Sequence, residues 1–175
     1  TGTILVRWYA PTDNGGLAIS GYKVQKQTGT TWTDVATTTA LSVEVPAEQP
    51  GVRGYWRVLA LNSLGASIAS STVSFALPAL KASAVQSPAI VAGTVAGSAQ
   101  LTYKAPTSNG GSAITLYYAY VSRDAGLTWT LISVASGLSV RVVAPAKGVT
   151  WQFKVAAVTS AGIGEFSSVV SFTGN

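Results

Sequence analysis

Histidine, cysteine and methionine are all absent from this 175-residue chain. Without imidazole or thiolate there is no ligand set for a zinc finger, an iron–sulfur cluster or a haem, and no Ser–His–Asp or Cys–His machinery. The lack of cysteine excludes disulfide staples as well. Charge is scarce: 11 Lys and Arg stand against 6 Asp and Glu, a net charge of +5, and charged residues make up only 10% of the chain. The cations are dispersed singly, with no two adjacent. Tracking a phosphate backbone calls for a clustered basic stripe, so nucleic acid is not an expected partner. No apolar run approaches the roughly 20 residues needed to cross a bilayer, and the start lacks a charged-then-apolar leader, so no membrane insertion is expected. No Gly-rich phosphate motif opens a helix, and no segment has a helical period. The chain starts without Met and stops directly after an apolar stretch, which reads as an excerpt of a longer one.

What is present is 47% hydrophobic, with 18 Gly and 7 Pro. Abundant Thr, Ser, Ala, Val and Gly with so little charge is the composition of a β-rich secreted or assembled protein rather than of a cytosolic enzyme. A repeat runs through it. Ala10-Pro11-Thr12-Asp13-Asn14-Gly15-Gly16 returns as Ala105-Pro106-Thr107-Ser108-Asn109-Gly110-Gly111, an offset of 95, whereas Trp32 and Trp129, Gly65 and Gly162, and Phe75 and Phe172 are offset by 97. The extra pair falls between Tyr22 and Trp32, giving the second copy a longer hairpin.

In the first copy Thr3 to Tyr9, Gly21 to Gln27, Trp32 to Ala36, Leu41 to Val45, Tyr55 to Leu61 and Ser71 to Leu77 alternate or run apolar over strand lengths. Asn-Gly-Gly, Thr-Gly-Thr, Glu-Gln-Pro-Gly and Leu-Gly-Ala separate them, supplying positive φ through glycine and a fixed φ through proline. Short strands at this spacing predict an antiparallel two-sheet sandwich. The period of two turns Trp151, Phe153, Val155 and Ala157 inward in the second copy, and Trp56, Val58 and Ala60 inward in the first.

Trp8-x-x-Pro11, Asn14-Gly15-Gly16, Ile19-Ser20-Gly21-Tyr22-x-Val24 and Arg57-Val58-x-Ala60-x-Asn62-x-x-Gly65 together resemble the fibronectin type III module, particularly its bacterial or phage kind. The second copy repeats the pattern with Tyr103-x-x-Pro106, Asn109-Gly110-Gly111, Ile114-Thr115-x-Tyr117 and Phe153-Lys154-Val155-x-Ala157-x-Thr159-x-x-Gly162. The resemblance covers essentially the whole chain and implies an all-β fold of two tandem immunoglobulin-like sandwiches, residues 1–78 and 79–175. Gly54 and Trp151 stand where the family usually carries its tyrosine-corner ring, and Thr159 where it carries Asn. The first copy lacks a first strand that residues from about Ala84 to Gly97 supply in the second; truncation and donation by a neighbouring chain are both open. Residues Pro78 to Pro88 read as a short semi-rigid link, with Leu80 tucked between the units.

Each candidate site competes with a structural use of the same residues. The six carboxylates, Asp13, Asp34, Glu44, Glu48, Asp124 and Glu165, are expected as surface solubilisers, and no catalytic, cofactor or metal site is expected. Asp13-Asn14 offers too few oxygens for calcium and reads as a turn. Ser122-x-Asp124-x-Gly126-x-x-Trp129 resembles the Asp-box, a hairpin motif of sialidase-like propellers, and implies turn chemistry here. Trp32 and Trp129 sit at hairpin bases and can stack on sugar rings or simply cover their own hairpins. On the outward face Tyr55, Arg57, Leu59 and Leu61, with Tyr118, Tyr120, Lys154 and Val158 in the second copy, form an unusually apolar row of the composition found in protein interfaces.

These observations point to a non-catalytic module of an extracellular, cell-surface or virion assembly. Its expected partners are neighbouring proteins or other domains of the same chain, engaged without a cofactor. A surface filament, a layer and a virion tail part all fit. The alternatives are an accessory spacer of a secreted polysaccharide-degrading enzyme, which adds polysaccharide as a partner, and an adhesin module for a host glycan or protein. No Arg-Gly-Asp occurs to support integrin-type adhesion.

Overall fold

The computed structural model describes residues 2–175, and among them every regular element is a strand. The chain separates into two compact units, Thr1–Pro78 and Ala79–Asn175.

The first unit contains β1 (Thr3–Arg7), β2 (Gly21–Thr28), β3 (Thr31–Thr38), β4 (Ser42–Pro46), β5 (Arg53–Asn62), β6 (Gly65–Ala66) and β7 (Val73–Ala76). β1 pairs with β4 in a two-stranded sheet, while β3, β2 and β5 lie side by side in the larger one, with β6 and β7 both completing it against β5. Val6, Tyr22, Val24, Val45, Trp56 and Val58 form the core between them. Trp56 and Val58 alternate with outward Tyr55 and Arg57, as a strand with one buried face requires. β1 ends at Arg7 rather than reaching Tyr9, whose ring is 95% exposed.

The second unit contains β8 (Gln86–Ala92), β9 (Ser98–Lys104), β10 (Leu116–Ser122), β11 (Thr130–Ala135), β12 (Ser139–Val143), β13 (Thr150–Thr159), β14 (Gly162–Phe166) and β15 (Val170–Thr173). Its smaller sheet runs β12–β9–β8, three strands against the first unit's two. The larger sheet again places β11, β10 and β13 together, with β14 and β15 on β13. The core centres on Leu101, Tyr103, Val121, Phe153 and Val155. Removing each such side chain from water contributes about 1.5–3 kcal/mol.

Two expectations need correction. Pro78 to Pro88 is not a link: Ala82 and Val85 are 0% and 2% exposed in the second unit's core, and β8 begins at Gln86. Ala82 accepts from Glu165 N at 3.0 Å, while Leu80, 60% exposed, donates from its backbone to Gly110 O at 2.8 Å. Nor does alternation along β13 settle burial: Ala156 has outward parity yet is fully buried, because Tyr118 and Phe166 flank it on the adjoining strands.

The repeat is visible in detail. A β-bulge leaves Val35 of β3 unpaired opposite Val24 and Gln25 of β2, and Ile132 of β11 unpaired opposite Ala119 and Tyr120 of β10, 97 residues apart, and re-aims the hairpin beyond it in both units. The Asn-Gly-Gly loops repeat as well. Gly15 and Gly16 have φ of 69° and 79°, and Gly110 and Gly111 of 70° and 85°. Asp13 and Asn14 accept from the Gly15 and Gly16 amides at 2.8 and 2.9 Å, as Ser108 and Asn109 do from Gly110 and Gly111 at 3.1 and 2.9 Å. Asp13 therefore closes a turn.

Candidate functional site on the outer sheet faces

On the first unit's larger sheet the residues of outward parity form one continuous network. Lys23 Nζ lies 2.8 Å from Asp34 Oδ2. Gln25 Nε2 donates to Asp34 Oδ1 at 2.8 Å, and Arg57 Nε donates to Gln25 Oε1 at 2.8 Å. The Arg57 guanidinium then rests 4.3 Å from the centroid of Trp32. Gln25 is paired in register with both Asp34 and Arg57, so the chain of contacts crosses β3, β2 and β5 along one row. The Lys23 ammonium and the Gln25 amide hold the Asp34 carboxyl below its ordinary value.

The apolar row expected here is thus interrupted by satisfied charge. Leu59 and Leu61 are half-buried and Tyr55 is 40% exposed, but Arg57 between them is engaged from two sides.

The second unit keeps the register and changes the chemistry. Lys154 replaces Arg57, and Trp129 replaces Trp32, while Tyr118, Tyr120 and Leu131 stand where Lys23, Gln25 and Asp34 were. Lys154 Nζ lies 4.1 Å from the ring centroid of Trp129 and 4.1 Å from that of Phe166. Phe166 meets Tyr120 edge-on, centroids 5.3 Å apart at 87°. The ion pairs among the described residues are Lys23–Asp34 and Lys26–Glu48, and Lys154 is in neither. Across the sheet, Val134, Tyr118, Ala156 and Phe166 form one row and Leu131, Tyr120 and Lys154 the next. Val134, Leu131 and Phe166 remain 51%, 42% and 41% exposed. Val158 continues the face, paired with Leu116 and Ile163.

The structure therefore joins what the sequence offered as two separate candidates. Trp32 and Trp129, considered for sugar stacking, and Arg57 and Lys154, considered for a protein interface, belong to the same cluster in each unit. Both indoles are half-buried with a cation over one face of the ring. Phe166, Leu131 and Val134 were not anticipated; the offset of 97 from Asp34 to Leu131 was the available signal.

The Asp-box segment is a turn built around one carboxylate. Asp124 accepts from the Ser122 hydroxyl at 2.7 Å, the Thr128 amide at 2.9 Å and the Thr128 hydroxyl. These donors, led by the Thr128 hydroxyl, draw the Asp124 carboxyl down to about 2. Gly126 has a φ of 93°, and Trp129 Nε1 donates back to Gly126 O at 3.2 Å. Of the other acids, Glu48 is paired with Lys26 and Glu44 accepts from Thr3. Among the described residues no three His, Cys, Asp or Glu cluster as a metal site would require.

No protein-family profile matches the chain. It is 35% identical over 171 residues to endoglucanase B of Cellulomonas fimi and 27% identical over 169 residues to fibronectin type-III domain-containing protein 3a of Gallus gallus. These alignments take in 94% and 95% of this chain but only 16% and 14% of those proteins. Among solved structures, the chicken CNTN1 FN1–FN3 domains superpose with a TM-score of 0.57 at 19% identity, over 97% of this chain and 60% of that one. The fold of this chain is that of tandem fibronectin type III domains.

Proposed function

We propose that this tandem of fibronectin type III folds is a non-catalytic spacer and packing module of a longer extracellular or surface-exposed chain, and that the outer face of β11, β10, β13 and β14 packs against neighbouring protein. The Val134–Tyr118–Phe166 and Leu131–Tyr120–Lys154 rows, with Val134, Leu131 and Phe166 exposed around half-buried Tyr118, Tyr120 and Lys154, carry the reading. Apolar and aromatic residues grouped on a sheet face, around one cation with no acid partner among the described residues, have the composition of an interface core. The equivalent face of the first unit has its acid, Asp34, built in.

Sedimentation of the chain over a wide concentration range tests this. Reversible association that Phe166→Asp weakens at least tenfold supports it; a strict monomer at millimolar concentration counts against it.

The similarity to an endoglucanase favours a second reading, a spacer within a secreted polysaccharide-degrading enzyme. Retention of the chain on insoluble glycan, lost with Trp32→Ala or Trp129→Ala, would support a sugar-binding role within that reading. Unchanged retention in both variants would remove the tryptophans from it.

A further inference from the structure

The smaller sheet of the first unit has an outward face of its own. Val6 and Val45 point into the core, with Ile4 and Val43 packed beside them, so Thr3, Leu5, Arg7 and Glu44 face away from it. Leu5, 48% exposed, stands opposite Glu44 in register, and Arg7 stands opposite Ser42, two residue pairs along. The Glu44 carboxylate is exposed, accepts from the Thr3 hydroxyl at 3.2 Å and takes part in neither ion pair of the described residues.

The internal repeat makes this face particular to the first unit. At the row that holds Leu5 and Glu44, the second unit has Gln100 opposite Arg141. The larger sheets differ in the opposite sense: the second unit has Leu131 at the place of Asp34, and its Lys154 lies over Trp129 and Phe166 with no acid partner among the described residues. Each unit thus presents a sheet face that the other lacks, an acid beside an exposed leucine in the first and a cation among exposed apolar side chains in the second. The other carboxylates are committed elsewhere or poorly placed. Asp34 and Glu48 are in ion pairs, and Asp13 and Asp124 accept from donors of their own turns. Glu165 lies in the irregular stretch of β14 between Ile163 and Phe166, without a register partner on β13.

We propose that the neighbour packed on the second unit's outer face is a second copy of this chain, seated through the Leu5–Glu44 face of its first unit. The proposal rests on reading that outer face as a packing surface. Glu44 meets Lys154, and Leu5 enters the apolar surround of Leu131, Val134 and Phe166. Arg7 comes to the ring of Tyr118, over which no cation lies among the described residues. Stacked sheet faces lie about 10 Å apart, a spacing that outward side chains of this length fill. The cation face does not pair with the same face of another copy, because two Lys154 ammoniums would be brought together. The contact is therefore heterologous, and it continues from copy to copy or closes into a ring. Its ion pair sets register and choice of partner more than affinity, which the apolar side chains supply.

Sedimentation of the whole chain and its charge-reversed variants tests this. The native chain associates reversibly, and Lys154→Glu and Glu44→Lys each weaken the association at least tenfold. Both changes in one chain return it to the native level. An equimolar mixture of the two single variants does the same, because each carries the face that complements the other's reversed one, and such recovery also shows that both variants are folded. Association that Phe166→Asp weakens and Glu44→Lys leaves untouched overturns this partner, while keeping the outer face as a packing surface for a different protein. Loss in the single variants that the double variant or the mixture fails to restore overturns it as well. A strict monomer at millimolar concentration, or association indifferent to Phe166→Asp, removes the packing surface and the proposal together.

Discussion

The indole of Trp56 occupies the space that a Cβ on Gly54 would need, with its Cζ3 2.7 Å from that position and its Cη2 closer still. Gly54 and Trp56 share the inward face of β5, so the glycine at the family's corner position is the complement of a Trp where the second unit has Phe153. In the second unit the bulk is divided between Trp151 and Phe153, and Trp151 remains half-buried against Arg123, whose guanidinium lies 4.7 Å from its ring.

Gly54→Ala should accordingly destabilise the first unit by about 1–3 kcal/mol, because the ring is the rigid, fully buried centre of the core and cannot swing away. Urea unfolding followed by tryptophan fluorescence measures it. A loss of less than about 0.5 kcal/mol, the range of an ordinary surface change, would mean the indole has room to move.

The two copies of the Asn-Gly-Gly loop provide a matched pair. Gly15→Ala carries the left-handed backbone penalty alone, about 1–2 kcal/mol, since nothing lies within 4 Å. Gly110→Ala has a nearly identical φ but drives its Cβ into the Leu80–Lys81 backbone, and should cost clearly more and expose Ala82 to exchange. Equal losses in the two variants would show that Ala79–Val85 yields without cost.

Acid should weaken the second unit through Asp124. Its carboxyl is lowered to about 2 in the folded chain by the Thr128 and Ser122 donors, below its ordinary value of 3.8. The folded state thus favours the charged form, so the contribution is complete above about pH 4 and is lost as the pH falls through 2. Thermal midpoints between pH 7 and pH 2 should fall for the native chain, and less steeply for Asp124→Asn. Parallel curves would assign the acid response to other groups.

Alkali should act through Tyr103. Burial, with a smaller effect of Tyr117 alongside, pushes the phenol up to about 12, and in its neutral form it donates to Gly137 O at 3.0 Å. A raised folded value stabilises the protonated form, so this contribution is intact below about pH 10 and disappears as the pH rises through 12. Tyr103→Phe should flatten the loss of stability of the second unit between those limits. An unchanged slope would overturn the assignment.

The strands were legible because a period of two survives wherever one face is buried and the other is not, as Val6, Val24, Val45 and Val58 show. The turns were legible because Gly15, Gly16, Gly110 and Gly111 carry positive φ with a side-chain oxygen two residues earlier in each case. Less readable was β6, two residues long, which has no pattern to detect.

The candidate site was legible only in pieces. Outward parity identified Arg57, Tyr118, Tyr120 and Lys154, and hairpin position identified Trp32 and Trp129, but nothing local joins Trp32 to Arg57 or Phe166 to Lys154. Those neighbours are set by strand register, which the bulges at Val35 and Ile132 adjust by one residue.

By itself the sequence determined the repeat, the alternation of faces and the turn chemistry, because each is encoded within a few consecutive residues. Tertiary structure alone decided that Asp34 completes a network in one unit while Lys154, in the other, has no acid partner among the described residues, and that Ala82 and Val85 are core rather than link. Both outcomes rest on contacts between residues far apart in the chain. Cross-strand register fixes the first, and the clearance left by Gly110 and Gly164 fixes the second.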